Sequence, residues 1–125
     1  MKRVFMLIFA ALVCLNVAAA DKNPKTVVIN TEKSGKEVLG YAGTTPVEIT
    51  FVDGKITKVA ALPNQETPGF FQRVLDSPIF TALIGKTVKE ASEVKLDAVS
   101  GATYSSKAVI ENIRLGLKEA AKKVK

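Results

Sequence analysis

The sequence predicts an α+β domain: a small antiparallel sheet with short helices and a C-terminal amphipathic helix packed on it. Three observations carry this expectation. In "PVEITF" (46–51), Val47, Ile49 and Phe51 alternate with Glu48 and Thr50, the period of a half-buried strand. Asp53-Gly54 then separates this run from a second one, "KITKVAAL" (55–62), at the two-residue spacing of a tight hairpin. Near the C-terminus, Val109, Ile110, Ile113, Leu117, Ala120, Ala121 and Val124 fall on one helical stripe, with Leu115 outside it.

The chain opens differently. Lys2 and Arg3 precede the apolar run "VFMLIFAALVCLNV", which leads into Ala18-Ala19-Ala20. A basic start, an apolar centre and an Ala-x-Ala ending form a secretory signal over residues 1–20, with cleavage expected before Asp21. The run is short for a membrane span, and Val13 does not suit the small-residue position before a lipidated cysteine at Cys14. Export places the mature chain, 21–125, in the periplasm or on the outer face of a membrane, with 21–35 as linker and first strand and 36–125 as the domain proper. Cleavage removes two cations and no acid, so the net charge falls from +6 to +4. That mild balance, without aromatics clustered among the lysines, does not read as a nucleic-acid binder.

Absent residue types narrow the chemistry further. The chain has no His and no Trp, and its single Cys lies in the leader. The mature chain therefore has no disulfide, no Cys/His zinc site, no thiol nucleophile, no His base, and no His or Cys to ligate haem iron. Redox chemistry on it needs an imported organic cofactor.

Within the domain, "TVVIN" (26–30) and "KEVLGYAG" (36–43) read as strands joined by a turn at Ser34-Gly35. In the return strand of the hairpin, Lys58 pairs onto the apolar face and is a misfit. "PNQETPG" (63–69) breaks the pattern, and "FFQRVLD" suits a short helix. In "DSPIFTALIGK", Ser77 suits an N-cap, Pro78 the first helical position and Gly85 the stop. "SEVKLD" (92–97) reads as a further strand, and the last helix begins at Ser106.

Between that strand and that helix lies "DAVSGATYSS" (97–106). A flexible turn opening a helix offers free N–H groups and the positive end of the helix dipole, which favour a phosphate. Gly101 and Ala102 let the backbone approach closely, and Thr103 adds an alcohol at the same place. Ordinary capping by Ser105 or Ser106 explains the cluster without any ligand, and on these residues alone is the simpler reading. "GKT" at 85–87 is not a phosphate-binding P-loop, because Phe80 stands where its first glycine is required.

"DAVSGATYSS" resembles the flavin-attachment motif of the FMN-binding domain family, which includes the covalently flavinylated subunits of sodium-pumping quinone reductases and related electron-transfer complexes. "GYAGTTPVEITFVDGKITKV" resembles that family's opening hairpin, "NQETPGF" its Glu-Thr-Pro-Gly segment, and "GKTV" its Gly-Lys step. The pieces occur in family order over roughly residues 36–117. The resemblance implies FMN joined by a phosphodiester to Thr103, installed by a separate flavin transferase that uses FAD. It further implies that Asp97 and Ser100 belong to the transferase's recognition pattern, with Gly101, Ala102 and Ser106 completing the motif. Glu66, Thr67, Pro68 and Gly69 are implied near the flavin ring. Tyr104 suits either shielding of the ring or packing on the sheet, and Arg73 and Lys86 either balance of the phosphate charge or a place as plain surface cations. The expected function is that of an exported electron carrier between redox partner proteins of a membrane or periplasmic chain. The alternatives are a non-covalent FMN-binding or accessory domain and a small flavin-dependent reductase.

Overall fold

Val47, Ile49 and Phe51 are fully buried and their neighbours half-buried, as the alternation requires. They belong to β2 (Val47–Val52), which pairs antiparallel with β1 (Thr26–Asn30) and β3 (Lys55–Ala61) in a three-stranded sheet of order β1-β2-β3. This is a computed structural model that describes residues 25–124; the leader, Cys14, the expected cleavage point and most of the linker lie outside the described residues. The β2–β3 turn has φ of 52° at Asp53 and 83° at Gly54, the two positive values that a tight two-residue hairpin turn needs.

Lys58 is a misfit only if the pairing runs without a break. Phe51 faces Ile56, but Thr50 faces Lys58, so Thr57 is an extra, unpaired residue in a β-bulge. The bulge turns Lys58 outward and returns Val59 to the core opposite Ile49. One inserted residue reverses the facing of everything after it.

Two expected strands are not strands. Residues 32–37 form turns, and 38–43 form a loop with one isolated bridge, Leu39 to Thr44. The amides of Tyr41 and Ala42 are held by the Glu66 side chain, so no neighbouring strand is needed to satisfy them. Residues 94–99 are likewise irregular, although Val94, Leu96 and Val99 pack against the core. The outer edge of β3 at Lys55 and Ile56 is already taken by residues 85–87, through Gly85 N–H to Ile56 O (2.7 Å), Ile56 N–H to Lys86 O (2.9 Å) and the Lys55–Thr87 bridge.

The helices follow their local chemistry. Pro68 starts α1 (Pro68–Leu75), which buries Phe71 and Val74. Ser77 caps a 3₁₀ turn at Pro78–Phe80, its Oγ accepting from Ile79 N–H at 3.3 Å. The segment to Gly85 (φ 85°) continues as turns rather than as the longer helix expected. Thr87 and Glu90 form a reciprocal capping box on α2 (Val88–Ser92). The last helix, α3 (Thr103–Lys123), begins three residues before Ser106 and lies across β1 and β2. Its stripe buries Val109, Ile110, Ile113, Leu117 and Ala120, while Ala121 is exposed. Burying a side chain of that size contributes roughly 1.5–3 kcal/mol.

Gly116 lets α3 approach the sheet, since a Cβ there would stand 2.9 Å from Ile49 Cδ1 and 3.2 Å from Thr31 Cγ2. Asn112, fully buried beside it, fixes the register. It accepts from Thr31 Oγ1 (2.8 Å) and donates to Thr45 Oγ1 (3.2 Å) and Ala108 O (2.9 Å).

Candidate functional site

The start of α3 is built by its own serines, though not as caps. Ala102 occupies the N-cap position and no side chain caps the helix, so the capping expected of Ser105 or Ser106 is not observed. Ser106 is fully buried and instead ties the preceding turn down: its Oγ accepts from Val99 N–H (2.8 Å) and donates to Thr103 O (3.2 Å). The Ala102 N–H to Val99 O bond (3.0 Å) closes the same turn. Ser105 points the other way and donates to the carboxylate of Glu66. Both serines thus look inward, while Thr103 is exposed.

Glu66 is the brace behind this corner. Only 5% exposed, it accepts from Tyr41 N–H (2.8 Å) through Oε1 and from Ala42 N–H (2.7 Å) through Oε2, besides Ser105. Its backbone N–H is held by Asn64 Oδ1 at 3.0 Å. Burial raises its pKa, but the bonds from Ser105 and from the amides of Ala42, Tyr41 and Gly43 outweigh that and hold the carboxyl below its ordinary 4.5. Gly40 is required beside it, because a Cβ there would meet Glu66 Oε1 at 2.6 Å. One carboxylate therefore fastens the 40–43 loop to the first turn of α3.

Between that loop, α1 and α3 opens a cleft of about 320 Å³, lined by Tyr41, Thr67, Phe70 and residues 101–105. Tyr41, Phe70 and Tyr104 are 73%, 52% and 69% exposed, which is unusual for rings with no partner and leaves an aromatic rim round the cleft. They include both tyrosines of the chain. Sequence reasoning missed Tyr41 and Phe70. Tyr41 lay in a run read as a strand, and Phe70 in one read as a short helix, where Phe71 and Val74 turn inward and Phe70 does not.

The rest of the expected site distributes unevenly. Gly101, Ala102 and Thr103 line the cleft, and Ala102 also packs into the core. Ser100 and Asp97 are exposed on the approach to the turn, and Asp97 has no hydrogen-bond or ion-pair partner among the described residues. Of the Glu-Thr-Pro-Gly segment, Thr67 lines the cleft, Glu66 stands behind its wall, Pro68 starts α1, and Gly69 faces open space. Arg73 reaches the turn, with Nη1 2.6 Å from where a Gly101 Cβ would stand. Lys86 does not; its backbone is bonded to Ile56 beside the β2–β3 hairpin.

These features suit a ligand with an anionic end and a flat apolar ring. The amides of Thr103, Tyr104 and Ser105 have no acceptor among the described residues, leaving the positive end of a 21-residue helix open. Gly101, at φ 85°, presents no side chain there. The aromatic rim offers stacking surface, and the cleft is of small-ligand size.

A search of curated proteins and one of solved structures found no match. The model of one family, the FMN-binding domain, matches residues 40–118, which span the hairpin, the Glu-Thr-Pro-Gly segment and all but the last turns of α3. FMN has the anionic end and the flat ring that this cleft suits, and the chain belongs to the FMN-binding domain family.

Proposed function

We propose that this protein is an exported electron carrier that holds FMN covalently through Thr103. The observation that carries the reading is the placement of Thr103. Its hydroxyl-bearing side chain is the exposed first residue of an uncapped helix, on the rim of the aromatic cleft, while Ser105 and Ser106 are buried in other bonds. Attachment forms a bond from Thr103 Oγ1 to the FMN phosphorus as the pyrophosphate bond of FAD breaks. AMP leaves and the hydroxyl proton is released. A separate flavin transferase performs this step, for which the exposed Asp97 and Ser100 form a recognition surface on the approach to Thr103.

Bound FMN supplies one- and two-electron chemistry. The chain's own residues fix where that chemistry happens. The helix amides hold the phosphate, Gly101 leaves room for the Arg73 side chain beside it, and Glu66 keeps the Tyr41 loop and α3 at a constant separation. Because the rim aromatics are exposed, a ring among them stays reachable by partner proteins. Covalent attachment suits an exported carrier, since free FMN would be lost by diffusion outside the cytoplasm.

Co-expression with a flavin transferase tests the attachment. Thr103→Ala gives a folded protein with no fluorescent band on a denaturing gel, Thr103→Ser retains partial loading, and Ser105→Ala and Ser106→Ala keep the band. A fluorescent Thr103→Ala band refutes the assignment.

A further inference from the structure

Resting on the attachment at Thr103, we infer that Arg73 is the positioning cation for the phosphate of that linkage. Phe70 and Arg73 are three residues apart on α1 and so share one face of it. Phe70 forms part of the cleft wall, and Arg73 extends along the same face to the attachment turn. Its guanidinium and stem lie across Gly101: a Cβ there would stand 2.6 Å from Nη1, 3.4 Å from Cζ and 3.7 Å from Cδ. The missing side chain at Gly101 is thus room taken by Arg73.

That cation has no ion-pair partner among the described residues. The ion pairs among the described residues are Arg114–Glu111 and Lys123–Glu119, and the nearest acid along α1, Asp76, accepts from Gln72 instead. Arg73 covers Gly101, which stands two residues before Thr103 in the turn that opens α3. A phosphodiester at Thr103 carries one negative charge, and the guanidinium supplies one positive charge with a fork of donors shaped for phosphate oxygens. In the attachment reaction Arg73 orients the FAD phosphate toward Thr103 Oγ1. It does not itself exchange a proton.

The test is the rate of flavin attachment to the full chain by purified transferase and FAD, for wild type, Arg73→Gln and Arg73→Lys, across transferase concentrations. Circular dichroism and thermal melting confirm that each variant is folded. Gln keeps the stem over Gly101 and removes the charge. The expected result is an attachment rate about tenfold lower for Gln at saturating transferase, the scale of one charge-assisted hydrogen bond. Lys should recover part of that loss. A Gln variant that loads at the wild-type rate overturns the inference. So does a deficit abolished by more transferase, which would make Arg73 a docking residue, or a Lys variant no better than Gln, which would make its role one of shape. Thr103→Ala in the same series separates the two claims: if it loads, the attachment reading fails on its own account. A wild-type chain that takes no flavin removes both.

Discussion

Glu66→Gln tests whether one buried carboxylate holds the cleft together. Gln has the same shape but carries an amide nitrogen where one carboxylate oxygen stood. With Tyr41 N–H and Ser105 Oγ on Oε1 and Ala42 N–H on Oε2, either orientation of the amide makes a donor face a donor. A hydrogen bond to a charged acceptor contributes about 1.5–3 kcal/mol, and a buried donor left unpaired costs about 1–3 kcal/mol. The loss expected at neutral pH is therefore about 2–4 kcal/mol. The pH dependence has a definite sign. Because the folded carboxyl sits below its ordinary 4.5, its contribution is fully present above that value and is lost as pH falls through the lower, folded one. Urea unfolding followed by circular dichroism, at neutral pH and in steps down to about pH 3, measures both effects. Wild type and variant should converge in acid. A loss under about 1 kcal/mol at neutral pH, or a gap that persists unchanged in acid, would refute the bracing role.

Four further substitutions probe the core, the cleft rim, the network and the turn. Phe71→Ala should cost about 3–5 kcal/mol by urea unfolding, whereas Phe70→Ala should stay within about 0.5 kcal/mol of wild type. Phe70→Ala should instead show its effect as faster motion of the bound flavin in fluorescence anisotropy. Asn112→Leu removes three hydrogen bonds and strips the Thr31 and Thr45 hydroxyls of a buried partner; the same assay should show a loss of about 2–4 kcal/mol. Gly101→Ala places a Cβ against Arg73 at a positive φ, and should lower stability by about 1–2 kcal/mol while reducing flavin loading on a denaturing gel.

The hairpin and the final helix were legible because each is specified by local pattern. Alternation fixes the face of β2, Asp53-Gly54 fixes its turn, and the stripe from Val109 to Ala120 fixes the buried side of α3. The errors come where side chains from afar replace a ladder. Residues 36–43 have strand-like composition, yet Glu66 captures their amides, and no local pattern reveals that capture. Lys58 disclosed the bulge indirectly, since an otherwise regular strand put a cation on the core face. The capping box at Thr87 and Glu90 went unread, although "TVKE" carries its Thr-x-x-Glu spacing. The two hydroxyls after Thr103 were not: either serine suits a cap, and only the tertiary positions of Glu66 and Val99 turn both inward. The motif picked out the turn and its exposed threonine. The aromatic rim needed the fold, because Tyr41, Phe70 and Tyr104 are far apart in sequence and meet only when α1, the 40–43 loop and α3 are in place.

The central claim is that FMN is bonded to Thr103 of an exported chain. Its most direct test is mass spectrometry of the protein from its native cell envelope, intact and after proteolysis. The account predicts a chain beginning at Asp21 whose mass exceeds the polypeptide by one FMN less one water. It also predicts that the added mass lies on Thr103 in the peptide carrying "DAVSGATYSS". An intact mass equal to the bare polypeptide, or an adduct mapped to Ser100, Ser105 or Ser106, would contradict it.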